Sequence, residues 1–290
     1  MSDRVFVSAL LAVGCLAASL WSQPAQPAQP AQPAQPAVKA PRPKSQAEVD
    51  GLMAIQKAPD ADARIKAAEA FLIKFADTEF KSGILRLLAA SYEQKNDVEK
   101  TIIYAERALE ADPGDYSSML MIANGLAGRT REFDLDKEEK LTRAEKYAHQ
   151  VQEALKTAVK PNPDLPDDQW EAVKKDMNSQ VHVVLGQAAV LRKKFDAGIA
   201  ELKTAVDMGS TPDPIVLARL GEAFVSAEKY DDAIATFEKV MAMPNLHPQI
   251  RQYVQAKRAS IWEKRSGAKP AAAPAATPSP APPPAEPKKP

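Results

Sequence analysis

Apolar positions along this chain fall at helical spacing, and three stretches carry one pattern of them. In residues 82–115, Leu85, Leu88, Ala89 and Tyr92 lie on one face of a helix, and Thr101, Ala105 and Ala108 on one face of a second. Asn96-Asp97 between them is a turn and N-cap pair. Pro113 ends the second helix, because proline lacks a backbone donor and clashes with the preceding turn. Residues 214–247 repeat the arrangement with Leu217, Leu220, Gly221 and Phe224, then Ala233, Phe237 and Val240, then Pro244. Residues 179–212 give His182, Leu185, Gly186 and Ala189, then Gly198, Leu202 and Ala205. Leu88 to Ile122 is 34 residues and Gly186 to Gly221 is 35. A glycine inside a helix costs about 1 kcal/mol relative to alanine. Gly186 and Gly221 therefore imply a compensation, the close approach of a second helix.

Two further pairs are less regular. Residues 48–80 place a turn at Pro59-Asp60, with Ala67 and Phe71 on the second helix and a thin first helix around Gly51 and Ala54. Residues 116–157 start with Met119, Ile122, Ala123 and Leu126 and resume at Leu141, Ala144, Tyr147, Ala148 and Val151, with about nine extra residues around Thr130–Glu138. Phe133 and Leu135 are expected to pin that connection to the stack. The prolines from 161 to 166 mark a joint, after which a helix from about Asp167 runs on into the 179–212 unit and becomes unusually long. Joint and lengthened turn are expected to divide the stack into parts of about 45–158 and 167–265. Residues 248–263 form a terminal cap, with Ile250, Val254 and Ile261 inward and Arg251, Gln252, Gln255 and Arg258 toward water.

The repeated pattern resembles the tetratricopeptide repeat, W-x2-L-G-x2-Y…A-x3-F…P. Residues 214–247 fit with Leu217 for the Trp and Phe224 for the Tyr. Thr101 and Ala105 replace the Ala and Phe in 82–115, and His182 and Gly198 the Trp and Ala in 179–212. The resemblance implies an all-α, α-α superhelix: a solenoid of about five helix pairs plus a capping helix over residues 45–265.

Proline marks the edges, with seven in residues 24–43 and nine in 270–290. The linker 23–44, which contains five Gln-Pro-Ala triplets, and the Pro/Ala-rich tail 266–290 have almost nothing to bury and are expected to be disordered. At about 3.1 Å per residue each arm reaches roughly 70 Å. Residues 1–22 read as an export signal: Val5–Trp21 is uncharged and mostly apolar, and Arg4 precedes it. Three outcomes stay open: cleavage near Ser22, lipidation of Cys15 in Leu11-Ala-Val-Gly-Cys15, or an uncleaved anchor at the short end of bilayer-spanning length. The chain is thus placed in the periplasm, at the envelope or outside the cell, with possible membrane attachment through its N-terminus. Residues 45–268 hold 31 basic and 36 acidic side chains, and this mild acidity without a basic stripe argues against nucleic-acid binding.

The sequence offers no catalytic constellation, cofactor motif or metal-ligand spacing. His149, His182 and His247 sit on separate repeats with no acidic partner at a diagnostic spacing. Asp134, Asp136, Glu138 and Glu139 lack the EF-hand spacing and its glycine. In tetratricopeptide proteins the first helix of each pair lines a concave groove. Carried over by position, the resemblance implies partner-binding residues Arg86, Glu93, Leu120, Asn124, Val183, Gln187, Val190 and Glu222, with Ala90, Ala127, Ala218 and Val225 beside them. Packing against neighbouring repeats is the competing role for these positions. The expected function is a non-catalytic scaffold for a protein or peptide partner. The alternatives are a lipid-anchored envelope-assembly protein and an enzyme with a site in the 128–140 loop.

Overall fold

Acidic and hydroxyl side chains start the helices where the sequence supplies them. Ser45, Asp60, Asp97, Asp115 and Asp213 each accept hydrogen bonds from backbone N–H groups of the first turn that follows, donors with no partner inside the helix. The computed structural model describes residues 41–162 and 164–266, which lie in one compact unit. Among them eleven α-helices follow in order: α1 (Gln46–Gln56), α2 (Ala61–Lys74), α3 (Lys81–Gln94), α4 (Val98–Ala111), α5 (Tyr116–Arg129), α6 (Lys137–Thr157), α7 (Asp167–Leu191), α8 (Phe195–Met208), α9 (Pro214–Ser226), α10 (Tyr230–Met241) and α11 (Pro248–Ser266). They form five antiparallel pairs and the capping helix. The signal, most of the linker, Cys15 and all but the first residue of the tail lie outside the described residues.

The three regular pairs share one turn. Asn96, Lys193 and Glu228 each adopt a positive φ between 57° and 63°. The N–H of the next residue bonds back to the carbonyl of Tyr92, Ala189 and Phe224 respectively, closing the first helix the same way each time. Asparagine tolerates this left-handed conformation, whereas lysine and glutamate pay for the contact between Cβ and the backbone. Lys193→Gly and Glu228→Gly are each expected to raise stability by about 1 kcal/mol, and Asn96→Gly by clearly less. Denaturant unfolding of the three variants checks this ranking; an equal gain at all three positions would contradict the strain argument.

Size complementarity fixes how the helices of a pair cross. A methyl group built on Gly221 would overlap the buried Phe237 ring, with Cδ1 and Cζ at 2.8 Å. One built on Gly186 would meet Leu202 Cγ at 2.7 Å and the Gly198 carbonyl at 3.1 Å. In the 82–115 pair the corresponding positions are Ala89 and Ala105, both fully buried. A large residue on the second helix is thus matched by glycine on the first, and a small one by alanine. A second repeated contact joins each pair at its other end: Ser82 Oγ donates to the Ala108 carbonyl at 3.4 Å and Ser179 Oγ to the Ala205 carbonyl at 2.7 Å. At the thin first helix, the Phe71 ring fills the space that a side chain on Gly51 would need.

The stack is not divided at the proline joint. α7 has 25 residues, as the long first helix required, and packs on both α5 and α6. Val181 and Val184 share one core with Ala123, Ala148 and Val151 across the joint. The expected division failed because a helix this long spans the joint and buries apolar residues on both sides of it. The other irregularity is also smaller than expected. The α5–α6 connection is seven residues, Thr130–Asp136, against three in the regular pairs, and the remaining extra length extends α6 to 21 residues. Phe133 does not pin that connection: it is 89% exposed and Leu135 is fully exposed. The loop is held instead by polar contacts, from Arg131 N–H to Asp134 at 3.0 Å and from Lys140 to Asp136 at 2.8 Å.

Candidate functional site: the concave face

Curvature decides which residues a partner can reach. The first helices of successive pairs touch, α3 with α5, α5 with α7 and α7 with α9, and α11 continues the row against α9. The backbones of the second helices lie farther apart and are bridged by polar side chains, Tyr104 to Glu69 between α2 and α4 and Arg143 to Glu106 between α4 and α6. A stack in which one row touches and the other is spread must curve, with the touching row inside. The concave face is therefore built from α3, α5, α7, α9 and α11.

The eight candidate residues divide on this face. Leu120 and Val183 are only 6% and 3% exposed, so they are buried in the stack and offer little to a partner. Arg86 is exposed but engaged: its guanidinium pairs at 3.2 Å with Asp115, the buried carboxylate that caps α5. Asn124 donates to Gln180 at 3.2 Å, an amide bridge between α5 and α7. Glu93 opens on solvent, yet the surrounding protein withholds part of its water and raises its carboxyl pKa above the ordinary value. Glu222 is tied to the capping helix, accepting from the Tyr253 hydroxyl and pairing with Lys257 at 2.8 Å. Burial, reinforced by that hydrogen bond, pushes the Tyr253 phenol up to about 12.

Gln187, Val190 and Glu222 are brought together. They line a cavity of about 220 Å³ with Ala127, Thr130, Arg131, Leu191, Arg219 and Ala223. The cavity lies where α5, α7 and α9 meet, and the seven-residue connection after α5 delivers Thr130 and Arg131 to it. Arg131 and Arg219 do not occupy the family's groove positions. No spacing rule pointed to them, although the length of the α5–α6 connection marked the place.

The acidic side chains of the loop are engaged by cations. Lys140 pairs with Asp134 at 3.3 Å as well as with Asp136, and Arg192 pairs with Glu138 at 2.8 Å and with Glu145. The Arg131 N–H keeps the Asp134 carboxyl below its ordinary range. Among the described residues no group of three or more His, Cys, Asp or Glu side chains could hold a metal ion, and no helix is long and apolar enough to cross a membrane. His182 does have an acidic partner, Glu201 at 2.6 Å, which sequence spacing could not reveal because the two meet across the α7–α8 interface.

No family model matches the chain, and no curated protein is significantly similar to it. Solved structures with a similar course of chain include TTC0263, a thermophilic tetratricopeptide-repeat protein of Thermus thermophilus. It is 17% identical, with a TM-score of 0.47, over 74% of this chain and 95% of that one. MamA from Desulfovibrio magneticus is 14% identical, with a TM-score of 0.49, over 68% and 94%. A tetratricopeptide repeat protein from Parabacteroides merdae is 14% identical, with a TM-score of 0.41, over 77% and 93%. At these values the likenesses carry no argument, and the assignment stands on the chain's own geometry. Five helix pairs, a left-handed turn shared by three of them, glycine-matched crossings and one touching inner row make residues 46–266 an α-α solenoid with a tetratricopeptide-like fold.

Proposed function

We propose that this chain is a non-catalytic scaffold that holds a protein or peptide partner along its concave face, in the cell envelope or outside the cell. The observation that supports the reading is the composition of the inner row: half-buried Asn124, Gln187, Val190 and Val225 leave a curved strip of amide and aliphatic surface. Such a mixture suits an amphipathic helix or an extended peptide. The export part of the reading rests on the apolar Val5–Trp21 segment.

A photo-crosslinking residue at Gln187, compared with one at Lys239 on the exposed outer face of α10, tests the groove in cells. Discrete adducts are expected from Gln187. Adducts no stronger than those from Lys239 would end the reading. The Leu11-Ala-Val-Gly-Cys15 motif favours a second reading, a lipid tether for the same scaffold. Intact mass of the native protein separates the two: a diacylated Cys15 terminus supports the tether, and a terminus near Gln23 rules it out.

A further inference from the structure

Arg219 stands out among the cations of this fold. It is half-buried on the concave face, and among the described residues its guanidinium makes no hydrogen bond and no ion pair. By contrast, Arg86, Arg143, Arg192 and Arg258 all pair with carboxylates. Loss of water lowers the pKa of Arg219, and Asp213 and Glu222 oppose this only through space. A cation held in a partly dry cavity without a counter-ion costs free energy that a docking anion recovers. The second cation at the cavity, Arg131, spends one N–H on the Gly128 carbonyl at 3.1 Å and has no carboxylate in ion-pair contact.

We infer that the cavity between α5, α7 and α9 is a recognition site for a single carboxylate on a partner peptide, an Asp or Glu side chain, with Arg219 as its principal ligand and Arg131 and Gln187 beside it. The charge of the cavity selects an anion, and its apolar walls select one carried on a methylene stem. Two guanidiniums face the cavity, and the one carboxylate there, Glu222, is already neutralised by Lys257 and Tyr253. Inorganic phosphate meets the same cations but has no apolar stem to cover the cavity's walls. The walls agree, because Ala127, Val190, Leu191 and Ala223 are apolar and suit the methylene stem of an acidic side chain. The volume of about 220 Å³ is sufficient for one such side chain. The guanidinium fork matches a carboxylate through two parallel hydrogen bonds. The site is a local cationic spot on a solenoid that carries more acidic than basic residues.

The inference rests on the groove reading for its partner, but its test does not. Arginine side-chain NMR of the full chain is titrated with acetyl-glutamate amide, acetyl-glutamine amide and inorganic phosphate. The Nε–H signals of Arg219 and Arg131 are expected to shift and saturate with the glutamate probe at about tenfold lower concentration than with the glutamine probe. Arg219→Gln should abolish the response and Arg131→Gln weaken it. Arg219→Gln should also leave unfolding unchanged or slightly later, because no contact is lost. Equal response to the glutamate and glutamine probes, a stronger response to phosphate, or a response that survives Arg219→Gln overturns the inference. The probe is one residue long and reads the cavity alone. Failure here leaves the protein-partner reading standing, whereas loss of groove crosslinks with intact probe binding removes that reading only.

Discussion

Phe237→Ala is expected to destabilise the protein by about 3–5 kcal/mol, the range for emptying a buried aromatic site. Phe237 is among the largest side chains fully removed from water, and it closes the crossing of α9 and α10 against Gly221. Gly221→Ala attacks the same crossing from the other side. At an open helix position such as Gly83, where an added methyl meets nothing within 4 Å, this change should stabilise by up to about 1 kcal/mol. At Gly221 the methyl drives into an enclosed ring, and overpacking costs about 1–3 kcal/mol instead. The informative variant is the double one. Once Phe237 is alanine, Gly221→Ala should become neutral or stabilising, because the obstacle is gone and the helix preference remains. Denaturant unfolding of the four proteins measures the coupling. If Gly221→Ala costs the same with and without the ring, size matching is not what sets the crossing.

Arg192→Ala should cost about 1–2 kcal/mol, less than a fully buried charged pair because Glu138 is largely in water. Arg192 closes the end of α7, and its side chain, only 16% exposed, bonds Glu138, Glu145 and Thr142 on α6. It ties the long second helix of one pair to the next pair. Lysine cannot reproduce contacts to three residues from one planar group, so Arg192→Lys should recover less than half of the loss. The damage should also be local, with faster amide exchange concentrated at the start of α6. Full recovery by lysine would show that charge alone, without the fork, holds the two helices.

The places where sequence reading succeeded and failed follow from what periodicity reports. The spacing of Leu85, Leu88, Ala89 and Tyr92 identifies a buried face, and every one of these residues is buried. The turn at Asn96-Asp97 was legible because its chemistry is local: a residue tolerant of positive φ followed by an acidic cap. The glycines implied close approach, and the atoms facing Gly186 and Gly221 bear that out. Periodicity names a face but not a neighbour, and there the reading failed. Leu120 and Val183 sit at groove positions by register, yet both are buried, as the competing packing role required. Phe133 and Leu135 are apolar, but no helix face carries them inward, and the loop found polar anchors instead.

The sequence by itself determined the helix pairs, their turns, their crossings and the class of fold, because these depend on contacts within about 34 residues that recur from unit to unit. Only the tertiary structure decided which inner-row residues remain open, that the core runs unbroken through the proline joint, and that Arg131 and Arg219 share a cavity. Those outcomes depend on the curvature of the stack and on residues 88 positions apart, and no local pattern encodes either.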